Sequence, residues 1–144
     1  MSNKNLNDDA VAKLVSQVTG MMMGLSFTVT HEFRPPSLTQ RRTATIALSG
    51  GRSLRIALSA NDEGCAKLGS AMFAVHPTDV DGSMKNDSLG ELLNMISGQL
   101  QRAMSIDSAL GLPALHEEGL EEAMDWRNIK LRSGEVELCV SLSD

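Results

Sequence analysis

Aromatic residues are scarce in this chain of 144 residues, which contains three Phe, one Trp and no Tyr. Proteins that stack nucleic-acid bases need aromatic side chains, and those that hold the phosphate backbone need clustered Lys and Arg. The net charge here is -5, the pI is about 5.1, and the longest basic run is Arg41-Arg42. We therefore expect no nucleic acid among the partners of this protein.

Cysteines and long apolar runs are also few. Cys65 and Cys139 lie far apart and lack CxxC spacing, so we expect both to be reduced core residues. No apolar run approaches the roughly 18 residues that span a membrane, and residues 1–9 lack the apolar core of a secretory signal. These absences predict a cytoplasmic protein with no membrane segment. The remaining composition, 42% hydrophobic and 22% charged, is typical of a globular domain.

An internal repeat organises the chain. Residues 9–22 align with residues 87–100, an offset of 78. Three positions are identical in the two segments: Asp9/Asp87, Leu14/Leu92 and Gly20/Gly98. Because hairpin signals follow both segments at nearly the same spacing, the two halves of the chain are expected to share one plan.

The first half begins with a helix and continues with strands. Its predicted elements, in chain order, are a helix over 8–24, strands over 27–33, 43–48 and 54–58, and a connecting helix over about 62–75. Asn7 or Asp8 is the expected N-cap of the first helix, and Asn61 that of the connecting helix. Met72 is expected to face inward.

The second half repeats this plan more weakly. Its predicted elements are a helix from 83 or 87 to 104, a loop or short strand ending at Pro113, and strands over 124–131 and 135–142. We predict an α/β fold in which two pseudo-symmetric α-β-β halves share one mostly antiparallel sheet with helices packed on it. The chain is expected to be a single domain over 1–144, with a flexible N terminus over 1–8 and repeat halves over 9–60 and 87–143.

The helix of the second half has two sharply different faces at 100° per residue. One face is apolar: Leu89, Leu92, Leu93, Ile96, Leu100, Ala103 and Met104. The opposite face is a narrow polar stripe: Asp87, Glu91, Asn94, Gly98, Gln101 and Ser105.

The residues of this polar stripe do not favour a stable helix. Asp87 and Glu91 are like charges four residues apart, and Asn94 and Gly98 are weak helix formers. Such a stripe is either a solvated face or a functional surface, and Gly98 allows either close helix packing or the approach of a partner. The first-half helix has Lys13 and Ser16 where this helix has Glu91 and Asn94, so the acid–amide pair belongs to one half alone.

These residues resemble the motif of the CheC/CheX-type chemotaxis phosphatases, and CheX most closely. The family pattern, an acidic or Ser residue, then Glu and Asn on one helix face and a later proline, is matched here by Asp87, Glu91, Asn94 and Pro113. The run ELLNMISG is similar to the family's helix sequence. The resemblance covers most of the chain.

The resemblance implies a phosphatase that hydrolyses the aspartyl phosphate of a CheY-like response regulator. Glu91 would pair with a lysine of the partner and Asn94 would orient the attacking water, while Asp87, Gly98 and Gln101 would contact the partner. It also implies a homodimer and Mg²⁺ supplied by the response regulator. No cofactor of its own is expected.

Two further expectations accompany this reading. His31, His76 and His116 are scattered along the chain, so no metal site is expected. The family often has Asn and Lys after the helix glycine, where this chain has Gln99 and Gln101. The alternative is therefore a non-catalytic, CheC-like binding module that docks a response regulator or a flagellar-switch protein.

Overall fold

The computed structural model describes residues 6–32, 41–50, 54–106, 108–116 and 126–143. The helices are α1 (Asp8–Met23), α2 (Asp62–Phe73) and α3 (Gly82–Ala103), with a 3-10 turn at Pro77–Asp79. The strands are β1 (Thr28–Val29), β2 (Arg41–Gly50), β3 (Leu54–Asn61), β4 (Ser108–Leu110), β5 (Ala114–His116), β6 (Arg127–Ser133) and β7 (Val136–Ser143). They form one antiparallel sheet in the order β1-β6-β7-β3-β2-β4, and β5 also pairs with β2.

Side-chain caps set the start of each helix. Asn7 and Asn61 each accept a hydrogen bond from a backbone N–H in the first turn of α1 and α2, as their residue types favour. Asp81 caps α3 by accepting from the Met84 N–H at 2.9 Å, so this helix begins five residues before Asp87. Gly24 ends α1 in the left-handed conformation, with φ of 70°.

The two halves complete each other's sheet. Their hairpins, β2–β3 and β6–β7, meet where β3 pairs with β7. The strand that follows each repeated helix then crosses to the other half, because β1 pairs with β6 while β4 and β5 pair with β2. The predicted α/β fold with a mostly antiparallel sheet is confirmed, and its halves are interlocked.

The core lies between the helices and one face of the sheet. Five apolar α3 side chains are fully buried there: Leu89, Leu92, Leu93, Ile96 and Leu100. Alternate residues of the two central strands, including Ile56 and Val140, belong to the same core. Two expected core positions are wrong: Ala103 is exposed near the end of α3, and Met72 is 38% exposed near the end of α2.

Two predicted strands differ from the structure. The strand expected over 27–33 is short, since only Thr28–Val29 is paired, and residue 33 lies outside the described ranges. The strand expected over 124–131 is described from Arg127 to Ser133, and residues 124 and 125 of that prediction lie outside the described ranges. Pro113 lies in the connection between two short strands that both add to β2.

Both cysteines are buried and free, as predicted. Cys65 is inaccessible to solvent, and its burial raises the pKa of the thiol to about 12. Cys139 lies on the opposite face of the sheet. Among the described residues, no helix combines the length and apolar character needed to cross a membrane.

A charged row crosses the outer face of the sheet. The Glu137 side chain is 1% exposed and contacts the guanidinium groups of Arg41 and Arg132, the latter at 2.9 Å from Nη2 to Oε2. Asn61 Oδ1 accepts the backbone N–H groups of Glu137 and Gly64, both at 3.0 Å. These contacts tie β2, β3, β6 and β7 together opposite the helices.

Candidate functional site

The polar stripe of α3 lies on its solvent side. Asp87, Glu91 and Asn94 are exposed, while Gly98 and Gln101 are half-buried. Glu91 and Asn94 are three residues apart on one helix face, about 4.5 Å along the axis. Ser105 falls outside the stripe because the helix ends at Ala103.

The acid–amide pair has no polar partner among the described residues. Neither carboxylate of Asp87 and Glu91, nor the Asn94 side chain, forms a hydrogen bond or ion pair with any described residue. The stripe therefore presents two neighbouring negative charges and one amide whose donor and acceptor atoms are available to a partner.

The start of α3 is fixed to its neighbours on two sides. Lys85 Nζ lies 2.7 Å from Asp62 Oδ1 on α2. On the β2 side, an Arg42 Nη1–H donates to Asn86 Oδ1 at 2.9 Å. The buried apolar face of α3 and these two polar contacts fix the helix in place. The polar stripe therefore has a defined orientation.

The connection between β4 and β5 borders the stripe. Pro113 Cβ lies 3.7 Å from the position that a Cβ on Gly90 would take, and Leu115 Cδ2 lies 3.8 Å from it. Gly90 immediately precedes Glu91. The exposed Leu112, in the same connection, escaped the sequence analysis, since the pairing that brings this segment to α3 leaves no local signal.

Gly98 faces open space rather than a packed neighbour among the described residues. A Cβ built on Gly98 would have no neighbouring atom within 4 Å. Close helix packing was one of the two interpretations of this glycine, and it is wrong for the contacts within this chain. The bare backbone here faces open space on the same side as Asn94.

The corresponding position on α1 is used differently. Ser16 is half-buried, and its hydroxyl accepts the Phe27 backbone N–H at 2.8 Å and lies 3.3 Å from the Phe27 carbonyl oxygen. Lys13, which replaces Glu91 in the repeat, is exposed. The first half thus lacks an exposed acid–amide pair.

No group of three or more His, Cys, Asp or Glu side chains is placed to hold a metal ion in the part of the chain that the structure describes. The stripe itself offers two carboxylates four residues apart and no histidine. Its chemistry is that of hydrogen bonding and charge pairing.

Several solved structures share this fold. CheX from Vibrio vulnificus superposes with a TM-score of 0.70 at 17% identity, covering 99% of each chain. CheX from Desulfovibrio desulfuricans gives 0.68 at 17% identity, covering 92% of this chain and 97% of that one. A CheX–CheY–BeF3–Mg²⁺ complex from Borrelia burgdorferi gives 0.65 at 12% identity, covering 93% and 96%. At these identities the similarity establishes the fold.

The sequence itself carries the family assignment. No curated protein sequence matches the chain. Residues 42–128, more than half of the chain and including all of α3 and Pro113, match the family described as chemotaxis phosphatase CheX. The chain therefore belongs to the CheX family.

Proposed function

We propose that this protein dephosphorylates a CheY-like response regulator by positioning water at the partner's aspartyl phosphate. The observation that carries the proposal is the exposed pair of Glu91 and Asn94, whose side chains form no hydrogen bond or ion pair among the described residues. Membership of the CheX family supports it. The proposal is also supported by the fold that this chain shares with the Borrelia burgdorferi CheX, which was solved in complex with CheY, BeF3 and Mg²⁺.

The reaction requires little from this chain. Water attacks the phosphorus, and the bond from phosphorus to the aspartyl oxygen breaks. The partner's aspartate carboxylate is regenerated and inorganic phosphate is released. Because an acyl phosphate is already activated, a positioned water replaces a covalent nucleophile. The Asn94 amide, which both donates and accepts, orients that water.

The other stripe residues bind the partner. Glu91 pairs with a lysine beside the phosphoaspartate and so fixes Asn94 over the phosphorus. Asp87 extends the negative charge by one turn, and Gly98 lets the partner approach the helix backbone. Gln101 continues the contact toward the end of α3. The response regulator would supply Mg²⁺, which would neutralise charge on the phosphoryl oxygens.

The decisive experiment measures phosphate release from phosphorylated CheY-like regulators of the same organism. Asn94→Ala and Asn94→Asp are each expected to lower the stimulated rate by about 100-fold, the typical loss when one positioned polar group is removed. Glu91→Gln is expected to raise KM more than it lowers kcat, because it removes charge pairing. Lys67→Ala, an exposed truncation on α2, serves as the control.

The outcomes also separate the second candidate. A non-catalytic docking module would bind the phosphorylated regulator and leave its phosphate lifetime unchanged. That result with the parent protein would contradict the proposed phosphatase. Equal rates for the parent and Asn94→Ala would contradict the assignment of Asn94.

A further inference from the structure

Leu112 is the most exposed of the large hydrophobic side chains in the described ranges. Its exposed fraction is 90%, whereas Leu115, in the following strand, is 38% exposed. A lone exposed apolar residue needs no explanation by itself. The surroundings of Leu112 are what single it out.

The backbone on both sides of Leu112 is held firmly. Before it, Leu110 pairs with Leu48, and after it Ala114 pairs with Thr45, both on β2. Between these pairs, the Gly111 N–H donates to the Ala47 carbonyl at 2.8 Å. Leu112 is thus projected from a braced segment, and a partner that binds it orders little backbone.

This segment lies beside the site helix. Pro113, next to Leu112, packs against α3 at Gly90. Gly90 and Asn94 are four residues apart and therefore neighbours on one side of the helix, about 6 Å along the axis. The segment that carries Leu112 consequently borders α3 on the side of Gly90 and Asn94.

A partner that reaches Asn94 must also cover this border. A standard interface buries about 800 Å² on each partner, which as a disc has a radius of about 16 Å. Centred on Asn94, such a disc includes the segment that carries Leu112. Interfaces of this kind gain most of their affinity from a few residues that fill well-packed, desolvated pockets of the partner.

We propose that Leu112 is the apolar anchor by which this protein docks the response regulator, inserting into a hydrophobic depression of the regulator beside its phosphorylated aspartate. The inference rests on the proposed function. It separates two roles: Leu112 supplies apolar contact and affinity, and the neighbouring α3 stripe supplies charge pairing and the orientation of water.

The test is binding and turnover with Leu112→Ala and Leu112→Met. The ligand is the cognate CheY-like regulator activated by BeF3⁻ and Mg²⁺, and Kd is measured by calorimetry. Leu112→Ala is expected to weaken binding about tenfold, equivalent to ~1.4 kcal/mol, and to raise KM similarly at unchanged kcat. Leu112→Met, which keeps apolar volume, is expected to retain most of the affinity.

Met72→Ala is the control, because it truncates a partly exposed apolar side chain on α2. It should leave Kd unchanged. Parent-like binding by Leu112→Ala would overturn the anchor, and so would an equal loss in Met72→Ala.

The outcomes distinguish the anchor from the proposed function on which it rests. A parent protein that hydrolyses phosphate, loses its rate in Asn94→Ala, and binds equally well as Leu112→Ala refutes the anchor alone. A parent that neither binds nor dephosphorylates any regulator refutes the proposed function, and the anchor with it.

Discussion

Replacing Gly98 with alanine separates the stability of α3 from its access to a partner. Glycine in a helix interior costs about 1 kcal/mol relative to alanine. The new Cβ at Gly98 would meet no atom within 4 Å, so no clash offsets that gain. We expect Gly98→Ala to raise the free energy of unfolding by about 0.5–1 kcal/mol and the Tm by about 2–3 °C.

The same substitution at the repeat-related position provides a matched control. Gly20 is exposed in the last turns of α1, and a Cβ there would meet only the Leu25 carbonyl oxygen, at 4.0 Å. Gly20→Ala should therefore stabilise the protein to a similar extent. In the phosphate-release assay it should match the parent, whereas Gly98→Ala should lose rate because a methyl group stands between the helix backbone and the partner.

Two results would refute this reasoning. Destabilisation by Gly98→Ala, measured by thermal and urea unfolding, would mean that the position does not face open space. Full activity of a stabilised Gly98→Ala variant would mean that the partner does not approach the helix there.

Three further predictions test other parts of the molecule. Glu137→Gln removes the buried carboxylate that contacts Arg41 and Arg132 and should cost about 3 kcal/mol in urea unfolding; a loss below about 1 kcal/mol would contradict a stabilising role of these contacts. Burial raises the pKa of Cys65 to about 12, so between about pH 9 and 12 the unfolded thiol loses its proton while the folded one keeps it. Stability should fall there by about 1.4 kcal/mol per pH unit more steeply than in Cys65→Ala, and parallel curves would contradict this. Because β1 pairs with β6 over a short stretch, Thr28–Val29 with one further bond from the Thr30 N–H to the Lys130 carbonyl, we expect the rest of this sheet edge to pair with a second copy; light scattering that shows a monomer at tens of micromolar would refute the dimer.

Local signals made the helices predictable. Asn7 and Asn61 combine a preferred capping side chain with a following apolar periodicity, and both cap in the structure. The sequence offers two starts for α3, at residue 83 or 87, because several polar residues precede its apolar face. Asp81 decides it through a hydrogen bond to the third residue of the helix.

Strand pairing across the halves was beyond local signals. Nothing in the residues of β1 indicates that its partner is β6, about one hundred positions away. Nor do the residues of β4 and β5 indicate that both strands pair with β2. Periodicity placed Glu91 and Asn94 on one face, but only tertiary pairing brings Leu112 and Pro113 beside them.

The contacts of Ser16 explain in physical terms why one half alone carries the site. In the repeat, Ser16 takes the place of Asn94, yet its hydroxyl is committed to the Phe27 backbone, where the chain turns from α1 into β1. The second half makes its corresponding turn after α3 without using Asn94, whose amide stays exposed. Because the Ser16 hydroxyl is already hydrogen-bonded to the backbone between α1 and β1, it is not available to orient water. The same helix position therefore stabilises the turn from helix to strand in the first half, whereas in the second half it remains exposed to a partner.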